Sequence, residues 1–91
     1  MVYMDRLPGQ WDPIGNAELR IFMGAIYNGW FTRWRDRAAT ATDAEWSQMI
    51  DEADLIISKA GGSRTAEAIG AALIRELEAR RAEAMEQKES A

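Results

Sequence analysis

Apolar residues recur at helical spacing in three separate stretches of the chain. In the first stretch, residues 17–37, large apolar side chains fall three or four positions apart, which places them on one side of a helix. They are Leu19, Met23, Ile26, Trp30 and Trp34. The pair Asn28-Gly29 is also typical of a two-residue β-hairpin turn. A hairpin there would mix four arginines with apolar residues on one face, so a helix is favoured.

The second stretch, residues 42–60, opens with a helix-start signal. In the sequence TDAE, the Thr42 hydroxyl is able to accept from the backbone N–H of Glu45, and the Glu45 carboxylate is able to reach back. A continuous apolar stripe follows, and the pair Gly61-Gly62 is typical of a helix end because glycine readily adopts positive φ. We therefore predict a helix that ends at this glycine pair.

The third stretch covers residues 64–88 and begins at an N-cap, either Ser63 or Thr65. Its apolar stripe ends at Leu77, although strong helix formers continue toward the C-terminus. The helix is therefore expected to continue beyond the part that it buries and to fray near its end.

Together these patterns predict an all-α fold with one domain, residues 1–91. Short loops favour antiparallel neighbours, so the expected architecture is a three-helix antiparallel bundle. Residues 1–16 contain two prolines and two glycines and are predicted to form an irregular N-terminal arm, which Trp11 pins to the bundle. As an alternative, Asp12-Pro13 would cap an earlier helix start. The third helix is predicted to project at the C-terminus.

The composition limits the chemistry that is open to the chain. With no histidine and no cysteine, the usual nucleophilic dyads, imidazole catalysis and most zinc sites are excluded. We therefore expect no enzyme, no catalytic residue, no metal site and no cofactor. No apolar run is long enough to cross a bilayer, and no signal-peptide pattern is present. The chain is expected to be cytoplasmic and not bound to a membrane.

Two short motifs invite a functional interpretation, but each has a simpler structural one. The DEAD sequence, which begins at Asp51, lies within the second amphipathic stretch and lacks a phosphate loop, so it is interpreted as a solvated helix face. The turn KAGGSRT could present backbone N–H groups to an anion. The same residues are needed simply to end one helix and begin the next.

Other residues are candidates for a partner interface. Ile21, Phe31 and Leu55 fall outside the predicted apolar stripes, and Asp51 lies on the acidic face of the second helix. Arg33 and Arg35 follow Trp30 and could contact phosphates while the tryptophans stack on bases. They could instead pair with carboxylates of the second helix. The formal net charge of −4 disfavours nucleic acid and fits a partner with a basic surface.

The order of motifs resembles that of small uncharacterised helical proteins encoded by bacteriophages and integrated elements. The similarity covers roughly residues 30–81, from the W-x3-W pair through TDAEWSQMIDEADLI to LIRELEARR. It implies a binding protein without catalysis, in the manner of accessory proteins that block host defences such as CRISPR. We therefore expect a protein-binding inhibitor that occludes an unidentified protein partner. Separately, the thin core of a small chain, the off-stripe residues Ile21, Phe31 and Leu55, and the overhang of the third helix beyond Leu77 predict a homodimer. A nucleic-acid-binding regulator that uses residues 30–37 and a structural or assembly component of an oligomer are the alternatives.

Overall fold

The computed structural model describes residues 13–90, with side chains described for residues 13–87. Within this range the chain is all-α and contains no strand. The prediction that Trp11 pins an arm to the bundle lies outside the described residues. So does most of the predicted arm itself.

The first helix is continuous over residues 16–34 but changes its winding along its length. It consists of α1 (Asn16–Met23), a π segment (Gly24–Phe31) and a final α-helical turn, α2 (Thr32–Trp34). The N–H of Gly15 donates to Glu18 Oε1 at 3.2 Å just before the helix begins. Because Pro13 precedes this start and is not helical, the alternative of proline at the first helical position is wrong. The hairpin interpretation of Asn28-Gly29 is also wrong, since both residues lie in the π segment.

The π segment follows from the spacing of the large apolar residues. Phe22, Ile26, Trp30 and Trp34 are all buried and lie four positions apart. In an α-helix each residue turns by about 100°, so residues four apart drift by about 40° at every step. A π turn has i→i+5 hydrogen bonds and therefore more residues per turn than an α-helix, as in the bond from the Thr32 N–H to the Tyr27 carbonyl. Four residues of a π turn fall short of a full circle, which offsets the α-helical drift and keeps all four side chains on the buried side.

A short 3₁₀ turn, Ala38–Thr40, leads to the helix α3, which spans Asp43–Lys59. The predicted capping box is present: Glu45 N–H donates to Thr42 Oγ1 at 3.1 Å, and Thr42 N–H donates to Glu45 Oε1 at 2.8 Å. Gly61 and Gly62 end α3 with φ values of 80° and 64°, as expected for glycines that close a helix.

The last helix, α4, spans Arg64–Ser90 and contains 27 residues. The Ser63 hydroxyl accepts from Ala66 N–H at 3.0 Å, so Ser63, rather than Thr65, acts as the N-cap. The prediction that the helix continues past Leu77 is confirmed. Leu77 is fully buried, and Met85, two turns further on, is 53% exposed.

The core is formed where the first helix, α3, α4 and the 3₁₀ turn meet. Trp30 is 1% exposed, and its indole N–H donates to the Met49 carbonyl at 2.8 Å. This hydrogen bond satisfies the polar edge of a buried ring. The buried cluster comprises Phe22, Ile26, Trp30, Phe31, Trp34, Ala38, Met49, Ala53, Ala66 and Leu77. Trp46 packs against this cluster but is only partly buried.

Two residues of the first helix are placed differently from the α-helical expectation. Met23, assigned to the buried stripe, is 38% exposed, and its place is taken by Phe22 at 2%. Phe31, predicted to lie outside the stripe, is buried at 5%. The π turn lies between these positions and rotates the residues after it relative to an α-helix, which is why Phe31 joins Trp30 in the core.

Gly70 allows α3 and α4 to approach closely. A Cβ atom built on Gly70 would lie 2.6 Å from Ile57 Cδ1, whereas one built on Gly24 would meet nothing within 4 Å. A methyl group at position 70 would therefore require the end of the Ile57 side chain to move, whereas one at position 24 would require no change.

We predict opposite responses to alanine at these two glycines. Gly24→Ala should raise the free energy of unfolding by up to about 1 kcal/mol, the difference in helix propensity. Gly70→Ala should be less stable than Gly24→Ala, because the added methyl displaces the end of the Ile57 side chain. Denaturant titrations followed by circular dichroism measure both. Ile57→Val removes Cδ1 and should rescue Gly70→Ala in part; equal stabilisation by both alanines would contradict the close approach.

Candidate functional site

The carboxylate of Glu52 in α3 accepts hydrogen bonds from three side chains where α3 meets the first helix. Arg33 donates to Glu52 Oε1, and the Trp34 indole N–H donates to the same oxygen at 2.9 Å. Gln48 donates to Oε2 at 3.1 Å. The hydrogen bond from Trp34 contributes most to a lowered pKa of Glu52, and Gln48 and Arg33 lower it further, while partial burial opposes them. The carboxylate is thus held in its ionised form between the two helices.

Arg37 pairs with the other carboxylate that faces the first helix. Its guanidinium lies 3.6 Å from Glu45 Oε2 and 4.3 Å from the centroid of the Trp34 ring. The pKa of Glu45 is lowered, first by its hydrogen bonds with Thr42 in the capping box and then by Arg37. Arg37 therefore contacts both the face of Trp34 and the start of α3.

Arg35 is not brought to α3. Its Nε lies 3.8 Å from Asp36 Oδ2, and both side chains are well exposed. Trp30 and Trp34 are each 1% exposed, so their rings present no free face on which a base could stack. Arg33 and Arg37 contact α3 carboxylates as the sequence allowed, so the tryptophans of the segment are buried whereas its arginines stay exposed and two of them are paired.

The remaining interface candidates separate into exposed and buried residues. Ile21 is 72% exposed, Leu55 is 57% exposed, and Asp51 is exposed as well. Phe31 is the exception: it lies in the core, and its ring stacks on Tyr27 with centroids 5.4 Å apart. The expectation that Phe31 lies outside the buried stripe, which made it an interface candidate, is therefore wrong, because the π segment turns it into the core.

An apolar groove runs between the first helix and the end of α3. It has a volume of about 450 Å³, and we call it the α1/α3 groove. Its lining consists of Glu18, Ile21, Phe22, Ala25, Ile56, Lys59, Ala60 and Gly61. The sequence pattern indicated Ile21 as unusual, but nothing in the pattern indicated that Ile21 borders a groove built by residues about forty positions away.

A second groove, the α3/α4 groove, lies beside the turn that joins those helices and has a volume of about 470 Å³. Asp54, Ser58 and Glu67 supply its polar lining, whereas Ile57, Ala71 and Ile74 supply apolar lining, with Gly62 at the turn. Sequence reasoning missed this groove. It placed a possible anion site at the turn KAGGSRT, yet the side chains beside the turn include two carboxylates.

Among residues 13–90, no group of three histidine, cysteine, aspartate or glutamate residues is arranged to hold a metal ion. None of the helices in that range is long and apolar enough to span a bilayer. Comparison of the chain with protein-family models, curated proteins and solved structures gave no match. The function is therefore argued from geometry.

We predict that Glu52 makes stability depend on pH. Its lowered pKa means that the folded state prefers the carboxylate, so the stabilisation is present above the unfolded-state value near 4.5 and is lost as the pH falls through the folded-state pKa. Denaturant unfolding of wild type and Glu52→Gln at a series of pH values should therefore show a difference that shrinks below about pH 4.5.

Glu83→Gln is the matched control, because it removes an exposed carboxylate that contacts no partner in the described part of the chain. Its profile should run parallel to that of the wild type. A Glu52→Gln profile that also runs parallel would show that the contacts of Glu52 with Trp34 and Arg33 do not favour its ionised form.

Proposed function

We propose that the protein is a non-enzymatic binding module that contacts a protein partner through the outward face of α3. The observation that carries this proposal is Leu55, which is 57% exposed and is flanked by carboxylates. Asp51 lies four residues before Leu55 and therefore on the same side of the helix, and Asp54 is its neighbour. An exposed aliphatic side chain bordered by carboxylates is suited to act as an apolar anchor that inserts into a basic surface of a partner.

The charge of α3 supports the same partner chemistry. The helix carries five carboxylates and one lysine. Glu52 pairs with Arg33 of the first helix, and Glu45 pairs with Arg37 in the turn after it. Asp43 Oδ1 lies 3.8 Å from Arg81. Asp51 and Asp54 have no ion-pair partner among the residues that the structure describes. The unpaired negative charge of α3 thus lies beside Leu55, and Glu67 extends it across the α3/α4 groove.

We further propose an antiparallel three-helix bundle as the frame that presents this face. The start of the first helix shares a groove with the end of α3 through Glu18 and Gly61, whereas Arg37 pairs with Glu45 near the start of α3. Likewise, Arg81 of the last helix lies near Asp43, at the opposite end of α3 from the turn into α4. Both sets of contacts support neighbouring helices that run in opposite directions.

More specifically, we propose that the protein acts inside a cell and inhibits another protein by steric occlusion. This is the role expected of a phage-type anti-defence protein of the CRISPR-blocking kind. The acidic face would cover a basic groove that the target needs for its own ligand.

Binding of nucleic acid by residues 30–37 is the weaker hypothesis, because the two tryptophan rings are buried and Arg33 contacts Glu52. An oligomeric assembly role is favoured by one observation, the exposed Ile21 beside the α1/α3 groove, and we propose a homodimer.

We predict that a photo-crosslinking residue at position 55 captures a basic protein partner, whereas the same residue at position 79, which is also exposed, does not. Asp51→Asn with Asp54→Asn should weaken capture roughly tenfold, since two exposed ion pairs contribute up to about 1 kcal/mol each. Quantitative mass spectrometry of the crosslinked product measures this loss, which should be mirrored by added salt.

Glu78→Gln with Glu83→Gln is the control, because it changes the net charge equally but on α4. This control should leave capture unchanged. If both double variants lose capture equally, the effect is one of overall charge, and the assignment of the site to α3 is wrong.

A further inference from the structure

We propose that the α1/α3 groove binds a second copy of this chain, so that Ile21 of each copy enters the groove of the other in a two-fold dimer. This inference rests on the homodimer of the proposed function and gives that dimer a site. It concerns the α1/α3 groove, whose lining does not include Leu55, Asp51 or Asp54, and it assigns that groove an occupant.

Shape is the first argument. Ile21 is 72% exposed, the highest exposure among the large apolar side chains of the described residues. It borders a groove whose lining includes the apolar residues Phe22, Ala25, Ile56 and Ala60. A projecting apolar group next to an apolar recess is self-complementary under a two-fold axis, because each copy then supplies both the projection and the recess.

Charge is the second argument, and it distinguishes a second copy from other occupants. The groove carries one carboxylate, Glu18 from α1, and one ammonium group, Lys59 from the end of α3. Neither has an ion-pair partner among the described residues, although one Glu18 oxygen accepts from Gly15. A uniformly basic or acidic partner would meet one like charge here. A two-fold copy is able to place Glu18 against Lys59 twice, with no like pair.

Size is consistent with this arrangement. A domain of 91 residues buries only about 60–65% of the surface of its unfolded chain, and association is a common remedy for a small core. The dimer would bury Ile21 and close the α1/α3 groove while Leu55, which does not line the groove, stays available to another partner.

The test uses reciprocal charge variants and the mass in solution. Glu18→Lys alone should place lysines opposite each other in the dimer, and Lys59→Glu alone should place glutamates opposite each other. Each variant alone should therefore be monomeric at concentrations at which the wild type is dimeric. An equimolar mixture should recover the dimer, because both contacts between unlike copies are then attractive. Sedimentation equilibrium measures all three samples, and circular dichroism verifies that each variant is folded.

A second pair of variants tests the role of Ile21. Ile21→Glu should abolish the dimer, whereas Leu55→Glu, a matched change at an exposed apolar residue outside the groove, should leave it intact. A monomeric wild type at all concentrations, a dimer that survives Ile21→Glu, or a mixture of the two charge variants that stays monomeric would each overturn the proposal. None of these results would affect capture of a partner through position 55.

The lack of native cysteine permits a check on the occupant. Ile21→Cys provides a single thiol, and its labelling rate should fall as the protein concentration rises if a second copy covers the groove. Protection that does not depend on concentration would instead assign the groove to another part of the same chain and would overturn the dimer.

Discussion

The wide turn of the π segment is the constraint on which the packing of the first helix depends. Four large apolar residues at intervals of four would spiral around an α-helix, and only some of them would face α3. The π segment keeps Trp30 and Trp34 on the buried side. There the Trp30 indole reaches the Met49 carbonyl and the Trp34 indole reaches Glu52. Because a buried indole N–H needs an acceptor, these two hydrogen bonds also define where α3 lies along the first helix.

This placement decides how the charges of the protein are distributed. Arg33 and Arg37 lie close to Trp34 and therefore reach α3 at the same place. There Arg33 forms an ion pair with Glu52, and Arg37 forms one with Glu45. Exposed ion pairs of this kind contribute little to stability, but they neutralise positive charge on this side of the protein. The carboxylates on the opposite side of α3 remain unpaired within the described residues. An acidic face thus arises from the way in which the helices pair, more than from the net charge alone.

Two surfaces with different chemistry result. The outward face of α3 combines Leu55 with unpaired carboxylates and suits a basic partner. The α1/α3 groove is apolar, carries one charge of each sign and suits a copy of itself. Because Leu55, Asp51 and Asp54 do not line the α1/α3 groove, a dimer would present its acidic face twice. Such an arrangement would raise the apparent affinity for a partner that offers two basic sites, through effective concentration rather than through new contacts.

The local sequence by itself determined the helical class, the capping box at Thr42, the glycine stop at Gly61-Gly62 and the exposure of Ile21 and Leu55, because these depend on spacing and backbone preference within a few residues. The exchange of Met23 for Phe22 in the core and the burial of Phe31 were not predicted, although the four-residue repeat from Phe22 to Trp34 was a visible signal for a wider turn. The two grooves, the convergence on Glu52 and the close approach at Gly70 required the tertiary structure. Each joins residues from different helices, and the relative rotation of packed helices depends on the fit of side chains that no single stretch of sequence contains.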